Sequence, residues 1–508
     1  MLVLSLTFAT FERMSRIAGL LLIIIFPAFG FSQGEDKLWL MGYDCCHPPY
    51  FMGINLDFNS GTLVLNSVQR NMNFCETNGE ICDRNGNLLF YSNGAYIANA
   101  LDDTMLNGSG LSPSNFTSSH AHDGLTVPQG NLVIPFPDDS SKYYLFHETV
   151  DDRFNTYCSL YLYYSVIDMA LDNGKGGVMQ KNTVLLQDSL VEGRLTACKH
   201  ANGRDWWLFS RKNHSGIIYK YLITPNGIQG PWQQNLQTWR DCTFGQTLFS
   251  QDGTKYVYYE PVGDLDIWDF DRCTGAFSNL VHVSINDNAG CAGAAFSSTG
   301  RFLYISSMNY IYQFDLLSAD IPASMISVAH YDGYEDHFGN VYNFYLAALA
   351  PDGKIYINSS NSVLALTVIN FPDSLDSTCN VQQHAISTTA FEAFTMPNFP
   401  NYYLMAKGGT VCDSLGLPNV ITGISKSDLS IEIFPNPARN LLYITQNKDE
   451  QFSAVHVFNS FGQEQNISFT GIKNGEYLQS DVSSLPSGVY FVQIICHHEM
   501  LVRRFQKQ

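Results

Sequence analysis

The sequence predicts an all-β protein: a β-propeller of about seven blades followed by a small immunoglobulin-like β-sandwich. Three observations carry that prediction. Aromatic residues make up 13% of the 508, with 28 Tyr and 34 Phe, and such residues favour the pleated, half-buried surface of a strand. One short strand–turn–strand unit recurs through the centre of the chain. From Ile431 onward the chain breaks into short alternating segments punctuated by Pro, Asn and Gly.

Taken in chain order, residues 1–32 read as a secretory signal peptide. Arg13 and Arg16 give the basic flank, Ile17 to Gly30 is an apolar run, and Gly30-Phe31-Ser32 puts small residues before Gln33. The run is too short for a comfortable membrane span. Met14 is an alternative start, because the residues before it add nothing a signal needs. Nothing downstream approaches the roughly 18 consecutive apolar residues of a spanning helix, so the mature chain is expected to have no transmembrane segment.

Residues 37–411 form the expected propeller. The clearest repeat copies are TLFSQDGTKYVYYE from Thr247, AAFSSTGRFLYISS from Ala294 and AALAPDGKIYINSS from Ala347. EICDRNGNLLFYSN from Glu80 and ACKHANGRDWWLFS from Ala197 are weaker copies, and VIPFPDDSSKYYLFHE from Val133 has a longer turn. The Asn-Gly and Asp-Gly pairs supply the positive φ of a two-residue hairpin. Later copies lie about 50 residues apart, near the period of a four-stranded propeller blade. Six copies and a closing segment from Leu364 to Leu404 give about seven blades, with six or eight as alternatives. One blade cannot bury its own faces, so the copies must stack around an axis. A β-solenoid, or sandwiches in series, is the competing architecture.

Charge narrows the partners. Lys and Arg number 28 against 47 Asp and Glu, a net charge of −19 that falls almost wholly in the centre. So acidic a surface argues against nucleic acid or an anionic bilayer and leaves cations, glycans or proteins. All twelve cysteines follow the leader on an oxidising route, where disulfides form. Cys75 and Cys82 flank a short polar segment and are placed to close a hairpin. Cys242, Cys273 and Cys291 fall in neighbouring units, and Cys379 and Cys412 bracket the last one. The adjacent Cys45 and Cys46 do not bond to each other in an ordinary strand. None has zinc-type spacing, and the connectivity stays open.

The centre shows no G-x-S-x-G, no H-E-x-x-H, no P-loop and no dinucleotide fingerprint, so no catalytic, cofactor-binding or metal residue is assigned. His120 and His122, with Asp123 beside them, are the best metal-like cluster; His147 or Glu148 would be a third ligand, although Ser and Gly neighbours read more as a polar loop. Asp264 and Asp266 share a strand face that Trp268 interrupts, and Asp269 and Asp271 take the other face. Exposed acids on a strand explain these better than calcium. Ser250-Gln251-Asp252-Gly253 lacks the spacing of a sialidase Asp box, with Tyr256 where Trp belongs. Glu148 and Glu260 follow aromatic strands and could pair with Asp151 or Asp264 as glycosidase-like acids. The runs Trp206-Trp207, Tyr161 to Tyr164 and Tyr256 to Tyr259 suit packing between blades better than glycan stacking. The DCCHPPYF segment from Asp44 reads as a loop near the first blade.

Residues 412–430, polar with Gly and Pro, read as a linker, and residues 431–508 as the sandwich. Ile431, Ile433, Leu442 and Ile444 keep period-two spacing; Pro435-Asn436-Pro437 breaks the first ladder, Phe461-Gly462 makes a turn, and Pro486-Ser487-Gly488 opens the next strand. The order IEIFPNPARNLLYI, VHVFNSFGQ, DVSSLPSGVYFVQI, HHEMLVRRFQKQ resembles the type A sorting domain of the Bacteroidetes type IX secretion system. The alternative is an immunoglobulin-like module without a sorting role. The resemblance implies recognition by the translocon, removal of the tail in the linker by the sortase machinery, and attachment to anionic lipopolysaccharide at the outer-membrane surface. It points to Pro435, Asn436, Pro437, Gly462, Gly488, Tyr490, Arg503 and Arg504 as the sorting signal. The stretches FNSGTLVLNSVQRN, ICDRNGNLLFYSNGAYIAN, LTACKHANGRDWWLFSR, FSSTGRFLYISSMNYIYQFDL and LAPDGKIYI resemble a propeller-like region common in Bacteroidetes secreted proteins, which implies architecture and surface location but no reaction. A binding or scaffold module is the leading expectation, and a hydrolase or lyase acting on extracellular polysaccharide or peptide is the rival.

Overall fold

The structure is a computed structural model that describes residues 34–47, 49–153, 156–392, 394–412, 432–445, 452–459, 464–472, 477–496 and 500–508. The leader lies outside the described residues. Two compact units divide the chain, residues 1–415 and 416–508.

The repeating hairpins have one turn chemistry. Gly253 donates its N–H to the Ser250 carbonyl at 2.8 Å, and Gly86, Gly203, Gly300 and Gly353 do the same to Asp83, His200, Ser297 and Ala350. All five glycines have φ between 69° and 80°, where a side chain is strained. The ladder resumes with the Ser250 N–H on the Lys255 carbonyl, so residues 251–254 form the loop. The loop thus holds four residues where two were expected. A type I turn needs the extra pair, and its glycine then takes the left-handed position that closes the hairpin.

Each hairpin is the inner half of a blade. Seven sheets follow one another. The first has three strands, Leu38–His47, Phe51–Asp57 and Val64–Val68. The innermost strands of the other six are Gly79–Cys82, Asn131–Pro135, Thr196–Lys199, Gln246–Phe249, Gly293–Phe296 and Ala347–Leu349. Each of these six sheets runs outward through four antiparallel strands, blade three adding a short fifth, Asp151–Arg153, paired with Thr156–Asp168, and a single parallel bridge, Gly177 with Leu106, joins the rims of blades two and three. Second strands such as Trp206–Arg211 and Phe302–Ser307 are buried along their whole length, so each opens on a four-residue apolar run, WWLF and FLYI, before its polar end. Outer strands such as Gly227–Arg240 are mostly exposed. Aromatic rings lock neighbours together: Phe209 of blade four lies 5.4 Å from Phe249 and 5.1 Å from Phe277 of blade five.

Two features correct which segments make the seven blades. The N-terminal sheet is a blade of its own, the first, and the expected closing segment is not one, because Ala365–Ile369 and Val381–Ser387 are the outer strands of blade seven, which begins at Ala347. Trp39 closes the ring by packing on Tyr356 of blade seven at 6.2 Å. Residues 394–405 do not form a blade but enter the centre of the ring. There the Asn398 side chain donates to the carbonyls of Asn131 (2.8 Å) and Leu195 (2.9 Å) and accepts from Gln129, which also donates to the Thr247 carbonyl. The free edge of the first blade is covered by side chains: the Glu80 carboxylate accepts the Leu40 N–H at 2.9 Å, and Asn78 donates to the Leu40 carbonyl.

Disulfides join Cys158 to Cys242 and Cys273 to Cys412. The latter ties the segment leaving the axis to blade five. Cys75 and Cys82 are unbonded, contrary to the hairpin expectation. The strand Gly79–Cys82 runs between them, so they stand at opposite ends of an extended segment, beyond disulfide reach. Cysteines 273 and 412 are 139 residues apart. Cys273→Ser is expected to cost about 2–5 kcal/mol in urea unfolding under oxidising conditions, and reductant should remove the difference from wild type.

The second unit is a sandwich of two four-stranded sheets. One orders Ile433–Phe434, Leu441–Thr445, Tyr477–Asp481 and Thr470–Ile472; the other orders Glu464–Gln465, Phe452–Asn459, Gly488–Cys496 and Met500–Lys507. Leu442 and Ile444 from the first and Val457, Val492, Ile494 and Phe505 from the second meet in its core.

Candidate functional site

In a propeller the loops at the start of the innermost strands surround the axis, and here they carry acids that sequence reasoning missed. Glu76 precedes the innermost strand of blade two, and Glu192 and Arg194 precede that of blade four. Tyr345, ahead of blade seven, donates its hydroxyl to Glu76 Oε1 at 3.1 Å. Burial raises Glu76 to about 8 against that hydrogen bond, and Glu192, whose charge also acts on Glu76, to about 7. Glu76 Oε2, Glu192 Oε2 and Arg194 Nε are buried and have no hydrogen-bond partner among the described residues. Thr395, where the axial segment enters, donates to the Glu76 carbonyl at 3.0 Å. Nothing in V-E-G-R-L marks these residues, because their proximity depends on where blades two, four and seven meet.

The acids that the sequence did single out hold the blades together. Glu148 is fully buried and accepts hydrogen bonds from Ser159 (3.0 Å), Ser210 (3.1 Å) and the Gly193 N–H (2.9 Å). Burial lifts it to about 8 although these donors pull it down. Glu260, 1% exposed, lies 3.1 Å from Arg240 and accepts from Thr243 at 2.7 Å. Asp151 accepts from Thr149 and the Leu160 N–H, and Asp264 from the Ile285 N–H, so both are engaged by the protein's own donors. Asp266 is not an exposed strand acid: it is fully buried, paired with Arg240 and with His282 at 2.8 Å. Asp269 pairs with Lys255, and Asp271 caps the turn at Cys273.

The histidines do not converge. His120 ends a short helix, α1 (Asn115–Ser119), and stacks on Phe116 at 4.1 Å, while the His122 side chain is 70% exposed beside Asp123. His147 is fully buried between the Ser112 and Ser165 hydroxyls, and burial lowers it to about 3. Among the described residues no group of three or more His, Cys, Asp or Glu is arranged to hold a metal.

The aromatic runs behave as packing residues: Trp206, Trp207 and Tyr256 to Tyr259 are all buried, and Tyr161 stacks on Tyr163 at 5.5 Å. A cavity of about 330 Å³ surrounds Pro397 to Asn401, and one of about 660 Å³ lies among Asp83, Arg84, Asp139, Lys199 and Arg204.

In the second unit, residues far apart in sequence meet. Asn436 donates to the Arg504 carbonyl at 3.2 Å and accepts from the Gln506 N–H at 2.9 Å, with Pro435 and Pro437 exposed on either side. Arg503 and Arg504 pair with Val492 and Phe491, Gly488 pairs with Lys507, and the Tyr490 hydroxyl donates to the Pro486 carbonyl at 2.9 Å. Gly462 lies outside the described residues.

A comparison with curated protein sequences finds no match. Among solved structures, this chain is similar to a protein from Lactobacillus plantarum (15% identity over 71% of this chain and 98% of that one, TM-score 0.42). It is also similar to a putative 6-phosphogluconolactonase from Bacteroides fragilis (10% identity, 71% and 97%, TM-score 0.38) and to the Dos1 propeller (12% identity, 65% and 92%, TM-score 0.36). Residues 432–508 match the family model of the secretion system C-terminal sorting domain. The chain therefore ends in a type IX sorting domain, and it is a secreted β-propeller protein of the cell surface.

Proposed function

We propose that this is a binding propeller working through the face on which its innermost strands begin. One observation carries the reading: Glu148 and Glu260, the acids best placed by sequence for catalysis, are engaged by the protein's own donors, and Asn398 of the axial segment is tied to the inner strands. That face offers loop side chains for contact. The mature chain should bind on glycan or protein arrays and stay silent in a broad hydrolase and lyase screen; turnover without array binding would sink the reading.

The rival hydrolase or lyase is favoured by Glu76 and Glu192, two carboxyls held near neutrality with unpartnered oxygens. Glu192→Gln separates the two, since an enzyme would lose turnover and a binding protein would keep its ligand. For export, Pro435, Asn436, Pro437, Gly462, Gly488, Tyr490, Arg503 and Arg504 are the residues assigned to translocon recognition, and the sortase cut to the segment after Cys412. The Asn436–Arg504 pairing supports this assignment, because it makes one surface of the motif and the basic C-terminal strand.

A further inference from the structure

The loop from Tyr331 to Leu346, which joins blades six and seven, carries two aromatic rings, Tyr334 and Phe338, that belong to none of the blade cores. Phe338 at its tip lies 5.1 Å from Tyr50 and 5.5 Å from Phe391, and Phe51 lies 5.4 Å from Phe391. Nearer the stem, Tyr334 lies 4.6 Å from His384 and 5.0 Å from Tyr342. Phe391 and Tyr342 are buried and anchor the two groups, whereas Phe51, Phe338 and Tyr334 are 41%, 48% and 45% exposed. Phe51 and Phe338, from distant parts of the chain, meet on Phe391, and Tyr334 stands four residues from Phe338 on the same loop; half-exposed rings grouped in this way mark an interaction site.

The loop is fixed in place before any ligand arrives. The Asp336 carboxylate accepts the N–H groups of Phe338 (2.9 Å) and Asn340 (3.0 Å) and the Tyr342 hydroxyl (3.3 Å). Glu335 bridges Val341, and Asp332 holds His384 at 2.8 Å. Binding on such a loop has little ordering entropy to overcome. Its charges select the ligand: Asp332, Glu335 and Asp336 are present, and residues 331–346 contain no Lys or Arg. Phosphate-bearing and uronic-acid polymers are repelled there. The rings offer flat apolar faces to the C–H faces of a pyranose, and the exposed carboxylates of Asp332 and Glu335 are acceptors for sugar hydroxyls.

We propose that Phe51, Phe338 and Tyr334 form a stacking platform for a neutral polysaccharide. This rests on the binding reading above and names its ligand. The test is affinity electrophoresis of the mature chain in gels containing soluble β-1,4-glucan, xylan or mannan, with polygalacturonate as the anionic control. At least one neutral polymer should retard the wild type. Phe338→Ala with Tyr334→Ala should weaken that retardation at least about tenfold at an unchanged unfolding temperature, Phe338→Trp should preserve it, and polygalacturonate should have no effect. Retardation by a neutral polymer that survives the double substitution overturns the platform and leaves the binding reading standing. Retardation by polygalacturonate alone, or by no polymer, also overturns it. So does self-association that the double substitution abolishes, since the occupant would then be a second copy. Turnover of a polymer without retention removes the binding reading itself.

Discussion

Deleting residues 432–508 is expected to abolish surface display completely and to leave a folded propeller in the periplasm. The deletion removes the whole sorting domain. It spares the propeller, because the core of the second unit, from Ala438 to Phe505, shares no residue with the core clusters of the first. The cut also falls after Cys412, so the Cys273–Cys412 disulfide that fixes the axial segment can still form. Protease shaving of intact cells, with fractionation alongside, checks both halves of the expectation. Display of the truncated chain at the wild-type level would mean that export information lies in the propeller.

The fold was legible in the sequence where local chemistry repeats. Each X-Gly turn demands the same positive φ at its glycine, and each following strand, such as Tyr304 to Ser306 or Tyr256 to Tyr259, is buried on both faces. Blade number followed from the period. Which segment supplies the blade without a repeat copy did not, because Leu38–His47 lacks the glycine turn and residues 394–405 are held by side-chain bonds to other blades. Their role depends on Asn398 finding the Asn131 and Leu195 carbonyls, a contact with no local signature. The tail was legible for the same reason as the turns: Pro-Asn-Pro and Pro-Ser-Gly punctuate strands in a fixed order.

The sites divide along the same line. Glu148, Glu260 and Asp266 stood out because each sits beside aromatic strand residues, yet that position is what buries them. Glu76, Glu192 and Arg194 lie in loops of unremarkable composition and become a cluster only when the ring closes. The Phe338 loop carries its signal in plain view, as YDGYEDHFGNVYNFYL, with six aromatic rings besides its histidine and no Lys or Arg. It lies between the repeat copies that begin at Ala294 and Ala347, so the repeat pattern does not single it out.

Arg240→Met is expected to cost about 3–5 kcal/mol of unfolding free energy, the range for taking one partner out of a buried ion pair. Arg240 is 1% exposed and reaches from the outermost strand of blade four into blade five. Its guanidinium lies 3.1 Å from Glu260, pairs with Asp266, donates to the Gly263 carbonyl and stacks over Tyr258 at 4.9 Å. Methionine keeps much of the aliphatic stem and removes the charge, so two buried carboxylates lose their shared partner. Thr243 and, at 3.9 Å, Arg194 still serve Glu260, and His282 still serves Asp266, which keeps the loss below that of two bare charges. Adding Glu260→Gln and Asp266→Asn should recover most of the stability, since the three side chains act as a unit and their effects do not add. Urea unfolding of the single and triple variants decides the matter. If the triple variant is no more stable than the single, the carboxylates have other roles than neutralising Arg240. Glu260 would then return as a candidate acid for the hydrolase reading.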